Sequence, residues 1–259
     1  MNFLKLVFVQ GLTEAFPISS SAHIAFFLGI RSIDQGIDAL LHLGSLLSLC
    51  AYFYQDVGSM LKGFLHVIQR KKSSARHLFN VIIATTVPCC VTGFVLHILS
   101  ARPHGSCITA FSLCFFGIVL YGVDRYQQQK KDLSLYTIPI NHALVIGFVQ
   151  TLSLIPGVSR LGICIIAGRL LGYSMASAAR TSFVMGIPVM ACASLLHIPQ
   201  IVHHHISWSH FIYVAFVTMV INLPMIYVFL QWTCRYSIAP IALYRIGFGL
   251  LIFYQKCLC

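Results

Sequence analysis

The sequence predicts an all-α integral membrane protein with about six transmembrane helices and two broken, re-entrant helix pairs, arranged as an inverted-topology repeat. Three observations lead there: the composition, the alternation of charge between apolar runs, and the likeness of two interrupted segments. Of 259 residues, 58% are hydrophobic and only 9% charged, with a mean hydropathy of +0.85. A soluble domain carries about 25% charged residues, so this chain has too few to cover a water-facing surface. Apolar runs of about 20 residues cross a bilayer core, and several are present. The opening stretch is apolar, but Glu14 and Pro17 follow with no small-residue cleavage site, which argues against a cleaved signal peptide.

Six stretches have the character of spans: 39–54 (short for one), 78–100, 106–123, 176–197, 210–232 and 239–255. The loops between them alternate in charge. Loop 55–77 holds five Lys/Arg, loop 124–142 three and loop 233–238 one; on the other side, loop 101–105 holds one and loop 198–209 none. Nine against one places the basic loops in the cytoplasm by the positive-inside rule, and puts the C-terminus and the segment before residue 39 outside. The formal net charge of +11 is therefore a topology signal. Nucleic-acid binding is not expected, because no soluble domain with a basic face is visible. Arg169 and Arg180 are expected near the cytoplasmic surface as positive-inside charges, and His203-His204-His205 as a solvated loop tip rather than a metal site. Most of the ten cysteines lie in apolar runs and act as small hydrophobes, with no CxxC or Cys/His zinc spacing; disulfides are not required.

Segments 1–30 and 138–173 are apolar but interrupted. Residues 8–20 read FVQGLTEAFPISS and residues 148–159 read FVQTLSLIPGVS. Both begin F-V-Q-x-L and, with one deletion, reach P-x-x-S, which predicts an internal repeat over about 1–123 and 138–259 within a single membrane domain. Each copy is one broken segment followed by three spans. Three is odd, so the copies are inverted, and the charge count agrees. Broken helices of inverted repeats meet near the midplane and build polar sites there; non-helical backbone at that depth must be buried in protein or line a cavity.

The first break holds Gln10, Glu14, Pro17, Ser19, Ser20, Ser21 and His23. Glu14 is the only glutamate in the chain, and an ionisable group in a membrane segment is a functional candidate by default; the competing role is a structural cap. Pro17 ends one helix, and Ser19 or Ser20 can cap the next, whose N-terminus suits an anion. Ser20 and His23 stand i, i+3 and can share a face; alone, His23 is equally a core histidine bonded to a carbonyl. The second break, Pro156-Gly157-Val158-Ser159-Arg160, offers close backbone approach at Gly157, a capping Ser159, and a guanidinium fork at Arg160 suited to phosphate oxygens. The bland reading of Arg160 is an ion pair with Glu14.

At these residues the chain resembles the undecaprenyl-diphosphate phosphatase, or bacitracin-resistance, family. Glu14 with PISSSAH matches the family's first signature and PGVSR its second. The segments at 42–47, 83–88, 182–188 and 242–246 also fall in order. The resemblance implies an enzyme hydrolysing a polyprenyl diphosphate lipid to the monophosphate and phosphate, recycling the carrier for envelope synthesis, with overproduction conferring bacitracin resistance. It implies catalytic roles for Glu14, Ser20, His23 and Arg160, and a Mg2+ or Ca2+ cofactor at Glu14 with Gln10. Ser19, Ser21, Gly157 and Ser159 would bind phosphate. Three departures stand out: Gln10 where a second acid is common, Ala22 for glycine, and Leu161 and Cys164 breaking PGxSRSGxT. The expected location is the bacterial inner membrane with an exterior-facing site, among membrane lipids. A homodimer is left open, as is the choice between a phosphoserine at Ser20 and direct attack by water. The rival on the same fold is a polyprenyl-phosphate transporter.

Overall fold

A computed structural model describes residues 3–29, 35–99, 105–126, 132–196 and 208–258. Among them are eleven α-helices and no strand: α1 Phe3–Thr13, α2 Ser20–Leu28, α3 Gln35–Tyr52, α4 Tyr54–Ile68, α5 Ser74–Ile98, α6 Ser106–Tyr126, α7 Ile140–Gln150, α8 Arg160–Leu170, α9 Met175–Leu196, α10 Trp208–Arg235 and α11 Ala239–Phe253. The protein is an all-helical integral membrane protein. Of the six predicted spans, four (α5, α6, α9 and α10) are long and apolar enough to cross a membrane. The two at the ends of the set are shorter: α3 has its apolar stretch at Ala39–Tyr52, and α11 has 15 residues before a wider turn, Tyr254–Leu258. Residues 203–205 lie outside the described set.

Loop 55–77 is mostly not a loop. Residues 54–68 form α4, whose Tyr54, Leu61, Phe64, Leu65 and Ile68 stay exposed beside Lys62. An apolar exposed face next to a basic charge is the pattern of a helix lying in the membrane interface. The positive-inside count sees the charges but not the helix that carries some of them.

Both interrupted segments break where expected. The first helix ends at Thr13, Pro17 lies in the turn that follows, and α2 begins at Ser20. Ser19 takes left-handed backbone, φ 68°, uncommon for a residue with a side chain. In the second segment α7 tightens into a short 3-10 turn, Thr151–Leu154, before α8 starts at Arg160. Gly157 sits between them at φ 87°, and a Cβ there would meet the Thr109 carbonyl oxygen at 2.5 Å, so both conformation and contact demand glycine.

Between these breaks sits α8, buried on every side from Leu161 to Arg169; a helix apolar all round belongs in a core. Around it α6 packs along α11, α3 along α10, and α5 along α7, α4 and α9. Large exposed side chains such as Phe111, Phe148, Ile212 and Phe216 face outward, as a lipid-solvated surface allows.

The expectation for Arg169 is corrected, and the structure adds an ion pair and a disulfide. Arg169 is not a solvated surface cation: it is 1% exposed and donates to the Tyr173 carbonyl at 2.8 Å and the Val123 carbonyl at 3.5 Å. Its long side chain turns inward to satisfy carbonyls at helix ends that would otherwise be buried unpaired. Arg180 is half exposed but paired at 2.7 Å with buried Asp56, which also accepts from the Tyr136 hydroxyl. Cys107, at the start of α6, and Cys257, beyond α11, form a disulfide that no sequence spacing announced.

Candidate active site

The two breaks face each other across a cavity of about 300 Å3. Glu14, Ser19, Ser20 and Ser21 line it from the first break, and Ser153, Val158, Ser159, Arg160 and Leu161 from the second. Helix α3 contributes Ala39 and His42, α5 contributes Cys89, Gly93 and Leu96, and α9 contributes Val189, Met190, Ala193 and Ser194. A polar end and an apolar wall in one space suit an amphiphile with a charged head.

On the first break, the Ser20 hydroxyl donates to Glu14 Oε2 at 2.5 Å, and Gln10 Nε2 donates to the same oxygen at 3.1 Å. Gln10 Nε2 also lies 3.4 Å from His42 Nδ1, which stands 3.8 Å from Glu14 Oε1. The Ser19 hydroxyl is 3.3 Å from that of Ser21 and does not cap α2.

The expected Ser20–His23 pair does not form. His23 is 1% exposed and off the cavity wall, with Nδ1 2.9 Å from the Ser19 carbonyl and Nε2 2.8 Å from the Tyr244 hydroxyl. A carbonyl only accepts, so Nδ1 carries the proton; in the neutral ring Nε2 then accepts from Tyr244. The imidazole stacks on Phe248 with centroids 4.1 Å apart. The left-handed turn at Ser19 aims its carbonyl at this ring, which ties the break to α11.

On the second break, Ser159 Oγ accepts from the Gly162 N–H at 3.2 Å and caps α8. Arg160 makes no ion pair with Glu14. Its guanidinium donates to the Ser182 carbonyl at 3.3 Å and touches Met190 Sδ at 3.3 Å. A Cβ at Gly186 would collide with the same guanidinium, so α9 makes room for it. Arg160 is thus a cation on the cavity wall with no carboxylate partner among the described residues. Of the two departures on α8, Leu161 lines the cavity, whereas Cys164 is buried and donates to Gln150 Oε1 at 3.1 Å.

Sequence reasoning placed Arg245 in the family-like segment 242–246 but gave it no role. Fully buried on α11, it donates to the Pro17 carbonyl at 3.1 Å and the Gly157 carbonyl at 2.9 Å, one from each break. A lone arginine in an apolar helix far from any acid was the signal available. His42 and Tyr244, in the family-like segments 42–47 and 242–246, were likewise given no role.

The fold and site define a multi-pass membrane protein in which Arg160, several serines and the carboxylate of Glu14 line one cavity between two broken helices. The chain belongs to the family described as Bacitracin resistance protein BacA, whose model matches residues 4–251. It is 34% identical over 256 residues to an undecaprenyl-diphosphatase of Gemmatimonas aurantiaca, covering 96% of this chain and 95% of that protein. It is 32% identical over 258 residues to one of Alteromonas mediterranea, at 97% and 96% coverage. A third, from Campylobacter curvus, is 30% identical over 261 residues with 98% of both chains covered.

Proposed function

We propose that this protein hydrolyses undecaprenyl diphosphate to undecaprenyl phosphate and phosphate, returning the lipid carrier for cell-envelope synthesis. One observation carries the reading beyond family membership: the Ser20–Glu14 pair and the carboxylate-free guanidinium of Arg160 line one cavity. The polyprenyl tail lies along Leu96, Val189 and Ala193 and the diphosphate faces the serines. Arg160 and the N-termini of α2 and α8 oppose the charge spread over the transferring phosphoryl group, with Ser19, Ser21, Ser159 and the backbone at Gly157 around its oxygens.

Ser20 attacks the terminal phosphorus while Glu14, in contact with its hydroxyl, takes the proton. His23, held by Ser19 and Tyr244, positions the break from behind the nucleophile. A divalent cation, Mg2+ or Ca2+, fits this donor set in a limited way. No group of three or more His, Cys, Asp or Glu clusters among the described residues, but Mg2+ commonly needs only one or two carboxylates plus substrate phosphates. Glu14 and the Gln10 amide would hold it, and it would neutralise phosphate charge.

Several features support a site open to the exterior of the bacterial plasma membrane. The cavity is lined by Ala39, Leu96 and Ser194, at the ends of α3, α5 and α9 away from the basic loops. A second cavity, with Tyr52, Tyr136 and Arg180, lies at the basic end. The Cys107–Cys257 disulfide sits at the former end and suits an oxidising compartment. The inverted repeat is supported by matched neighbours: α1 and α3 pack on α10 as α7 and α9 pack on α5. The transporter alternative gains no support from relatives that carry phosphatase names. Neither nucleic acid nor a partner subunit is required by the scheme.

Phosphate release from undecaprenyl diphosphate by detergent-purified protein, with and without chelator, tests the reading. Release that chelation stops sustains both parts; no release overturns the assignment. A trapped phosphoseryl at Ser20 favours the covalent route over direct water attack.

A further inference from the structure

We propose that the outer face of α4 and the turn after it form a docking surface for anionic phospholipid headgroups, in the leaflet at the basic end of the molecule. None of its residues lines the catalytic cavity, so the surface stands apart from the phosphatase chemistry.

Helix α4 is too short to cross a bilayer. Its 15 residues rise about 22 Å, less than the roughly 30 Å hydrocarbon core, and Lys62 sits past its middle. Tyr54, Gly58, Leu61, Leu65 and Ile68 recur at i, i+4, i+7, i+11 and i+14, which is one helical face. The four large side chains of that face are exposed, and a Cβ added at Gly58 would meet nothing. The opposite face is occupied by the protein itself. Asp56 and Gly63 are buried, Ser59 accepts from the Tyr136 hydroxyl, and a Cβ at Gly63 would run into the Ala75 carbonyl oxygen of α5. One side of α4 is thus committed to the fold and the other is left to the membrane.

Cations border the apolar stripe. Lys62 flanks it, and Arg70, Lys71 and Lys72 follow its end; all four are exposed. The chain turns there through the Arg70 N–H on the Val67 carbonyl at 3.1 Å and the Lys71 N–H on the His66 carbonyl at 2.9 Å. The left-handed position of such a helix-closing turn usually holds glycine. Here it holds Arg70, at φ 55°, so a cation stands where the backbone favours a residue without a side chain. Asp56 is the only acid between residues 54 and 76, and it is buried and paired with Arg180 at 2.7 Å. The segment therefore presents four cations and no carboxylate of its own to balance them.

Stripe and cations together select the occupant. A helix with an apolar face and basic residues at its border seats the face among acyl chains and holds the charges at headgroup level. Each Lys or Arg near an anionic leaflet adds to the attraction, which fades within a Debye length. A neutral lipid satisfies the stripe and leaves the cations without counter-charge. A soluble polyanion satisfies the cations and leaves the stripe in water. An anionic phospholipid satisfies both.

The test compares wild-type protein with a Lys62→Gln/Arg70→Gln/Lys71→Gln/Lys72→Gln variant, each reconstituted in phosphatidylcholine vesicles. Boundary association of spin-labelled phosphatidylglycerol is measured against that of spin-labelled phosphatidylcholine. We expect wild type to prefer phosphatidylglycerol about fivefold or more, and the variant to lose at least about two-thirds of that preference. High salt should remove a similar share from wild type. The other basic loops are common to both proteins, so the difference belongs to this surface. If the fourfold variant does not fold, Lys71→Gln/Lys72→Gln in the exposed turn decides, with an expected loss of about twofold. Equal preference in variant and wild type overturns the proposal, as does a wild-type preference that salt leaves unchanged. A wild type without preference, which Leu61→Glu converts from dimer to monomer, assigns the face to a second copy of the chain and overturns it too. Phosphate release plays no part in the readout, so failure of the phosphatase reading leaves this result standing.

Discussion

The two breaks share a sequence pattern but divide the work. In the first, Gln10 reaches a carboxylate and an imidazole, the hydroxyl of Ser20 bonds Glu14, and no side chain caps α2. In the second, the matching Gln150 is fully buried: it donates to the Thr85 carbonyl and accepts from Cys164. Ser159 there caps its helix, and the one charge on offer is the Arg160 guanidinium. On the proposed function, proton movement falls to the first break and anion holding to the second. The backbones differ with the side chains: Ser19 is left-handed at φ 68°, whereas the matching Ser159 is extended at φ −67°.

The largest effects should come from the residues that define this division. Glu14→Gln removes the acceptor bonded to Ser20, and Arg160→Ala removes the cavity's unpaired cation; each should lower kcat about 10³-fold or more while the protein stays folded. Arg160→Lys sharpens the contrast, since it keeps the charge but loses the planar fork, and should recover part of that loss. Phosphate-release kinetics with a thermal-unfolding control check all three. Equal activity in Glu14→Gln and wild type would remove the proton-moving role from the first break.

Next in size is the residue that joins the breaks. Arg245→Met leaves the Pro17 and Gly157 carbonyls without their guanidinium donors, and each buried unsatisfied group costs about 1–3 kcal/mol. We expect a clear drop in thermal midpoint together with reduced turnover. Loss of turnover at unchanged stability would instead point to direct contact between Arg245 and phosphate. Exchanging the paired glutamines separates the breaks further. Gln10→Glu adds a second carboxylate and should lower the cation concentration needed for half-maximal activity. Gln150→Leu should reduce stability by about 1–3 kcal/mol, since it strips partners from buried polar groups, and leave the cation requirement alone.

Much of this was legible in the sequence because the signals are local. Hydropathy located α5, α6, α9 and α10 to within a few residues, and the FVQ…P…S pattern located both breaks. Proline and glycine act on their own segment, so they could be read in one dimension. What was missed depends on contact across the fold. Nothing near Arg245 in the chain announces two carbonyls that lie 228 and 88 residues away. The i, i+3 spacing of Ser20 and His23 suggested a pair, but Tyr244 captures the imidazole from 221 residues away. Arg169 looked like a surface charge because the positive-inside rule counts residues without seeing which way they turn. Amphipathic α4 was hidden by its charges, which hydropathy averages into a loop.

The smallest effects concern α8, where the chain departs from the family pattern at two positions, and they test whether facing the cavity is what matters. Leu161 lines the cavity and Cys164 does not. Leu161→Ser places a hydroxyl beside the phosphate; one added hydrogen bond is worth about 0.5–1.5 kcal/mol, or roughly a 2–10-fold lower KM. Cys164→Thr restores the family's residue type at a buried site, where its hydroxyl can only replace the thiol's bond to Gln150; KM should stay within about twofold. If Cys164→Thr shifts KM more than Leu161→Ser does, distance from the cavity is no guide to function on this helix. Phosphate contact would then extend deeper along α8 than its first turn.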